Sequence, residues 1–290
     1  MTKTQLRRWA ALALVLALSA AGFAAWSYTQ ERHDLPPFDR AKAAMLSPEK
    51  RAEYERMLFN ELDNGWNTGT PLFKGDDATA RREAAWLAAA NDGYELAYLV
   101  LQVVQPRGGH LYANEKPLRR LEELIAEGDA GAMCMWLPLS SFVAYRDDEL
   151  RKRYRVQGLK YLRMGLEKQH PFCMLRVGYF TLLGWEGFNQ DRSRGFELLV
   201  ESERQGYGGS VALDWYLYRQ PVTLKNLERR FCWEGFAARY QTAIPYFMWR
   251  AIRRFAERNP GPEAQRLVEK IEHWEPTLSE CVDLGIGDEE

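Results

Sequence analysis

The histidines are the side chains best suited to metal binding or general acid–base chemistry, and their spacing favours neither. They stand at positions 33, 110, 170 and 273, far from the i, i+4 arrangement of an HExxH zinc site. His170 precedes Pro171 in an apparent inter-helix turn, so we expect it to be solvated. The glycine-rich run from Gly206 to Ser210 also falls at a turn, which a tight helix connection explains better than phosphate binding. We expect no catalytic, cofactor-binding or metal-binding residue, and therefore no enzyme.

The cysteines are the second group that could do chemistry. Four are present, Cys134, Cys173, Cys232 and Cys281, with no CxxC or Cys/His cluster that would indicate zinc or redox activity. In an oxidising compartment they allow three pairings, and one possible disulfide, Cys232 with Cys281, would fasten the C-terminal tail to the body. Four buried free thiols are the alternative.

The N-terminus indicates export. Lys3, Arg7 and Arg8 precede an uncharged run from Trp9 to Trp26, which as a helix would measure about 27 Å, close to the hydrocarbon thickness of a bilayer. The positive flank stays in the cytoplasm, so the remainder is expected on the periplasmic side of a bacterial inner membrane. The segment fits a retained anchor, and small residues near its end also allow cleavage as a signal peptide. Residues 31–290 carry 36 Lys and Arg against 40 Asp and Glu, a formal charge of −4, which offers no basis for nucleic-acid binding.

The body is patterned as a helical repeat. Polar turns end at Gly93, Gly128, Gln169 and Gly206, at intervals of 35, 41 and 37 residues. Four positions after each turn stands a small or thiol side chain: Ala97, Ala132, Cys173 and Ser210. Such spacing is typical of one helix–turn–helix unit per repeat, and small residues recur where antiparallel helices approach closely.

Residues 158–215 resemble the Sel-one-like repeats, a branch of the tetratricopeptide-type α-solenoids. Gly184 and Gly187 match the turn glycines of that family, and Asp191 matches the acid that opens the next helix as its N-cap. Cys173 and Ser210 stand where the family usually has Ala. The resemblance implies an all-α protein, a short right-handed α-solenoid with non-repeat helical caps.

The expected organisation follows the chain from the N-terminal signal or anchor to an acidic tail. We predict a signal-anchor or signal peptide over 1–30, a tether over 31–37 and a helical region with weak repeats over 38–127. The Sel-one-like repeats occupy 128–218, and a C-terminal helical cap with a loosely held tail occupies 219–290. Ser47, Pro48 and Glu49 mark a helix start, and no β-hairpin is expected.

The resemblance implies a protein-binding role. Exported Sel-one-like proteins include immunity proteins similar to the partners of phospholipase effectors of the type VI secretion system. On that hypothesis Trp136, Tyr179, Trp185 and Trp215 are candidate protein-binding residues, since aromatic side chains dominate binding hot spots. Helix packing is the alternative role for each of them. A periplasmic scaffold or regulator of envelope proteins is the alternative function, and an envelope hydrolase with an unrecognised site is a third.

Overall fold

The computed structural model describes residues 35–67, 77–105, 110–111, 115–144, 147–237 and 245–287. Within them the chain is helical apart from one two-stranded ribbon, and its 14 helices pack largely in consecutive pairs, consistent with a helical repeat. No described helix has an apolar stretch long enough to cross a membrane, and the predicted segment 9–26 lies outside the described residues. The described residues divide into two compact units, one within 1–54 and 70–158 and the other within 55–69 and 159–290.

Helix bounds follow the sequence signals at most positions. The first eight elements, which include the β ribbon, are α1 (Arg40–Met45), α2 (Pro48–Asn67), α3 (Asp77–Asn91), α4 (Glu95–Val103), β1 (Val104–Gln105), β2 (His110–Leu111), α5 (Lys116–Ala126) and α6 (Ala130–Val143). The next eight are all helices: α7 (Asp148–Glu167), α8 (Pro171–Leu183), α9 (Arg192–Arg204), α10 (Gly209–Tyr218), α11 (Leu224–Ala237), α12 (Pro245–Arg258), α13 (Pro262–His273) and α14 (Leu278–Leu284).

The first unit contains the pairs α3–α4 and α5–α6. Its buried side chains include Trp86, Tyr94, Leu101 and Leu121, all at most 1% exposed. The short ribbon β1–β2 is antiparallel, with Val104 opposite Leu111, so the expectation of no hairpin is wrong. Two residues per strand carry too little alternation to show in the sequence.

The second unit is built on a close crossing of α8 and α9. Gly178 and Gly195 face each other there, and a Cβ added to Gly195 would lie 2.8 Å from the Gly178 carbonyl oxygen. At the turn that precedes α9, Gly184 and Gly187 have φ angles of +70° and +72°. The Oδ1 atom of Asp191 accepts from the backbone N–H of Arg194 at 2.8 Å, which confirms the predicted N-cap.

The prediction that His170 is solvated is wrong. His170 is only 7% exposed: its Nδ1 accepts from the Phe172 N–H at 3.3 Å, and its Nε2 lies 2.5 Å from a carboxylate oxygen of Glu55. A turn position therefore did not imply solvation. Both ring nitrogens of His170 therefore have hydrogen-bond partners within the fold.

The predicted loose tail is also wrong for the described residues. Thr277 and Glu280 form a capping box that starts α14, and Arg229 of α11 donates to the Leu284 carbonyl oxygen at 2.8 Å. Cys281 forms a disulfide with Cys232, the pairing considered from the sequence. The disulfide and the Arg229 hydrogen bond fasten α14 to α11.

Candidate protein-binding surface

The candidate surface starts at the C-terminal end of α8. Gly184 ends that helix in the left-handed conformation, and the next N–H, of Trp185, donates to the Phe180 carbonyl oxygen at 2.9 Å. This backbone bond directs Trp185 outward, where it is 45% exposed. Its ring meets Tyr179 edge to face, with centroids 5.9 Å apart. A fixed backbone therefore presents a large aromatic side chain to solvent.

A second aromatic group lies at the end of α10. Tyr218 is 65% exposed, and its ring centroid is 6.5 Å from that of the partly buried Trp215. The Arg219 guanidinium lies 5.3 Å from the Trp185 ring centroid and so joins the two groups. We call this set the aromatic–arginine strip; its members are Tyr179, Trp185, Trp215, Tyr218, Arg219 and Arg230.

Arg230 of α11 is the last member of the strip and contacts Tyr218. Its guanidinium lies 4.6 Å from the Tyr218 ring centroid, and its Nε donates to Oδ1 of Asp214 at 3.0 Å. Asp214 is 8% exposed, and burial raises the pKa of its carboxyl while Arg230 opposes that rise. The ion pair fixes the arginine, so a partner would meet a cation and a ring already in place.

The strip has the composition of a binding hot spot. Trp, Tyr and Arg are the residues enriched at such sites, and exposed aromatic side chains held by stacking lose little entropy when a partner arrives. Three of the four candidates predicted from the sequence belong to the strip, in the second unit: Tyr179 and Trp185 contact each other, and Trp215 contacts Tyr218.

Trp136 lies elsewhere. It belongs to α6 of the first unit, is 2% exposed, and donates from its indole N–H to the Tyr154 carbonyl oxygen at 3.2 Å. Its ring packs edge to face on Tyr154 at 5.8 Å. A side chain buried in this way serves helix packing, and we leave Trp136 out of the candidate surface.

Sequence reasoning missed Tyr218, Arg219 and Arg230. The first two close a helix just before Pro221, and an aromatic–arginine pair at an exposed helix end is a signal that could have nominated them. Arg230 gives no such signal, because its link to Asp214 joins two different helices.

The state of the cysteines indicates the cellular compartment of the protein. In addition to the Cys232–Cys281 bond, Cys134 and Cys173 are each in a disulfide, so none of the four cysteines is a free thiol. Disulfides form and persist in oxidising compartments and are rare in the cytosol. The two disulfides indicate an extracytoplasmic location.

Comparison with known proteins adds no relative: no family model, no curated protein and no solved structure matches the chain. The all-α fold is therefore assigned from the helices of this chain alone.

Proposed function

We propose that this chain is an exported, non-catalytic helical-repeat protein that binds another protein through the aromatic–arginine strip. In finer terms it is a periplasmic immunity protein that binds and neutralises a secreted lipase-type toxin. It is a short right-handed solenoid of Sel-one-like repeats with non-repeat caps. It stays at the periplasmic side of the inner membrane through its N-terminal helix, or is soluble there if that segment is cleaved.

The strip is the observation that carries this proposal. Exposed Trp185 and Tyr218, each beside an arginine, form a surface that needs no ligand cavity and suits a protein partner. The disulfides support the compartment, and the paired helices support the repeat architecture. The toxin as partner rests on the family resemblance of residues 158–215.

We predict that a triple variant, Trp185→Ala, Tyr218→Ala and Arg219→Ala, loses partner binding. Hot-spot truncations each cost about 2 kcal/mol or more, so affinity should fall by at least about 100-fold. Titration calorimetry with the purified lipase encoded beside this gene measures the change. Cells that produce that lipase in the periplasm should survive with the native chain and die with the variant.

The matched control is Val156→Ala, which removes an exposed apolar side chain, 72% exposed, outside the strip. It should bind and protect as the native chain does. Undiminished binding by the triple variant would remove the strip from the proposal. Full resistance to the lipase in a strain that lacks this gene would eliminate the immunity function.

The scaffold function differs in its partners. A periplasmic scaffold or regulator would bind several envelope proteins and its loss would alter the envelope without any toxin present. Crosslinking from a photoreactive residue at position 185 separates the two functions, since it yields one lipase adduct or several envelope-protein adducts.

A further inference from the structure

The second unit contains a buried carboxyl group, that of Glu234, whose oxygens have no hydrogen-bond partner among the described residues. Glu234 of α11 is 3% exposed, and neither of its side-chain oxygens makes a hydrogen bond within the part of the chain that the structure describes. The Arg230 guanidinium and the Met248 backbone N–H favour the charged form of this carboxyl, but more weakly than burial and Asp214 oppose it. An unpaired buried carboxyl is costly, and in a native protein such a group calls for an explanation.

A cavity of about 300 Å³ lies against this residue. Phe231, Met248, Trp274 and Pro276 supply its apolar walls. The rings of Phe231 and Trp274 stack with centroids 5.7 Å apart and planes 20° from parallel. The volume lies at the lower end of the range of small-molecule sites, so it suits a ligand of few heavy atoms.

Gly235 lines the cavity beside the carboxyl group. A Cβ added at Gly235 would make only van der Waals contact with the Pro276 ring, at 3.4 Å.

The charges around the cavity favour a cation as its ligand. Besides Glu234, the exposed Glu275 lines it, and the described lining contains no basic side chain. Arg230 is already paired with Asp214 at 3.0 Å, and Lys270 with Glu228 at 2.7 Å. The Lys270 ammonium lies 3.9 Å from the Trp274 ring centroid, which shows that this ring accepts a cation.

Burial holds the Glu234 carboxyl in its neutral form near pH 7. Burial raises the pKa of Glu234 to about 8, the Asp214 carboxylate adds to the rise, and Arg230 and the Met248 N–H oppose it. At pH 7 the group therefore carries a proton. A cation beside it would favour the charged form and expel that proton.

We propose that this cavity binds a small organic cation of the alkylammonium type. The ammonium group pairs with the Glu234 carboxylate after a rotation of that side chain, and the alkyl chain lies against Phe231 and Trp274. Binding exchanges one proton for the cation: the neutral carboxyl loses H⁺ to solvent, and the carboxylate forms an ion pair with the ammonium. A free amine or the lysine side chain of a bound protein supplies the same chemistry.

Titration calorimetry on the full chain tests this site with n-butylammonium, the neutral isostere n-butanol, and Nα-acetyl-lysine methylamide. We expect n-butylammonium to bind at least 10-fold more tightly than n-butanol at pH 8. Its affinity should rise by about tenfold per pH unit from 6 towards 8 and level off above, because the proton must leave the carboxyl before the pair forms. Buffers of different ionisation enthalpy should report release of about one proton at pH 6.

The variant Glu234→Gln keeps the side-chain volume and removes the titrating group. We expect its affinity for n-butylammonium to fall at least 10-fold, with no proton release and no pH dependence, while its circular dichroism spectrum matches that of the native chain. The control Glu275→Gln changes an exposed acid at the same cavity and should retain the proton release. Binding of the lysine derivative as well as the amine would point to a protein-borne ligand, and binding of the amine alone to a free one; either result supports the site.

Equal binding of n-butylammonium and n-butanol, or no binding of the amine, would overturn the proposal. So would proton release that persists in Glu234→Gln. The strip variants leave this cavity intact, so failure here is distinguishable from failure of the protein-binding function.

Discussion

Replacing Gly209 by Ala should destabilise the protein by about 3–5 kcal/mol, the largest effect we expect of any single methyl group. Gly209 begins α10, and a Cβ at this position would overlap the Leu199 carbonyl oxygen and lie 2.8 Å from its carbonyl carbon. The obstacle is backbone, so no side-chain rotation relieves it and α9 and α10 must separate. Urea unfolding followed by circular dichroism measures the loss as a lower transition midpoint.

Gly261→Ala is the matched control. Gly261 is the N-cap of α13, its φ of −177° suits any residue, and nothing lies within 4 Å of the added methyl group. Its stability should change by less than about 1 kcal/mol. If Gly209→Ala unfolds at the same urea concentration as Gly261→Ala, the close contact of α9 and α10 is not what requires glycine.

Removing the Cys232–Cys281 disulfide should cost about 4 kcal/mol. The bond joins residues 49 positions apart, and its loss restores the freedom of that loop to the unfolded chain. Both cysteines are fully buried, so we replace them together with Ala, which leaves no free thiol to react. Urea unfolding of the double variant measures the difference in free energy.

The double variant should also loosen α14 selectively. Its remaining contacts include the Arg229 donation to Leu284 and the capping box of Thr277 and Glu280, which is local to the helix. Hydrogen exchange in residues 278–287 should accelerate more than in α8. Ser279→Ala, an exposed change on the same helix, should leave both measurements unchanged. Equal stability with and without the disulfide would mean that the tail docks without it.

Local signals allowed most of the fold to be predicted. Ser47 accepts from the Lys50 N–H at 3.2 Å, as its place before Pro48 indicated, and α2 begins at Pro48. The small residues predicted at helix crossings are fully buried at Ala97, Ala132 and Ser210. A cap or a close crossing depends on residue type within a few positions, and such information is carried by the sequence directly.

Non-local contacts account for the errors. His170 became buried because Glu55, 115 residues away in the chain, accepts its ring N–H. The tail became ordered because a disulfide and Arg229 reach it from α11. In each case the contacting residue is distant in sequence, so the local sequence pattern does not reveal the contact.

Local sequence determined some features of the binding surface, and the tertiary structure decided the others. The sequence by itself determined that helices pair, that Gly184 ends α8 and that aromatic side chains are abundant near that end. Only the tertiary structure decided which of them face outward, since burial depends on what packs against a helix: Trp136 is covered and Trp185 is not. It also placed Asp214 beside Arg230 and put Glu234 in an apolar setting. A carboxyl's charge depends on its surroundings rather than on its residue type, so that property is decided by the fold alone.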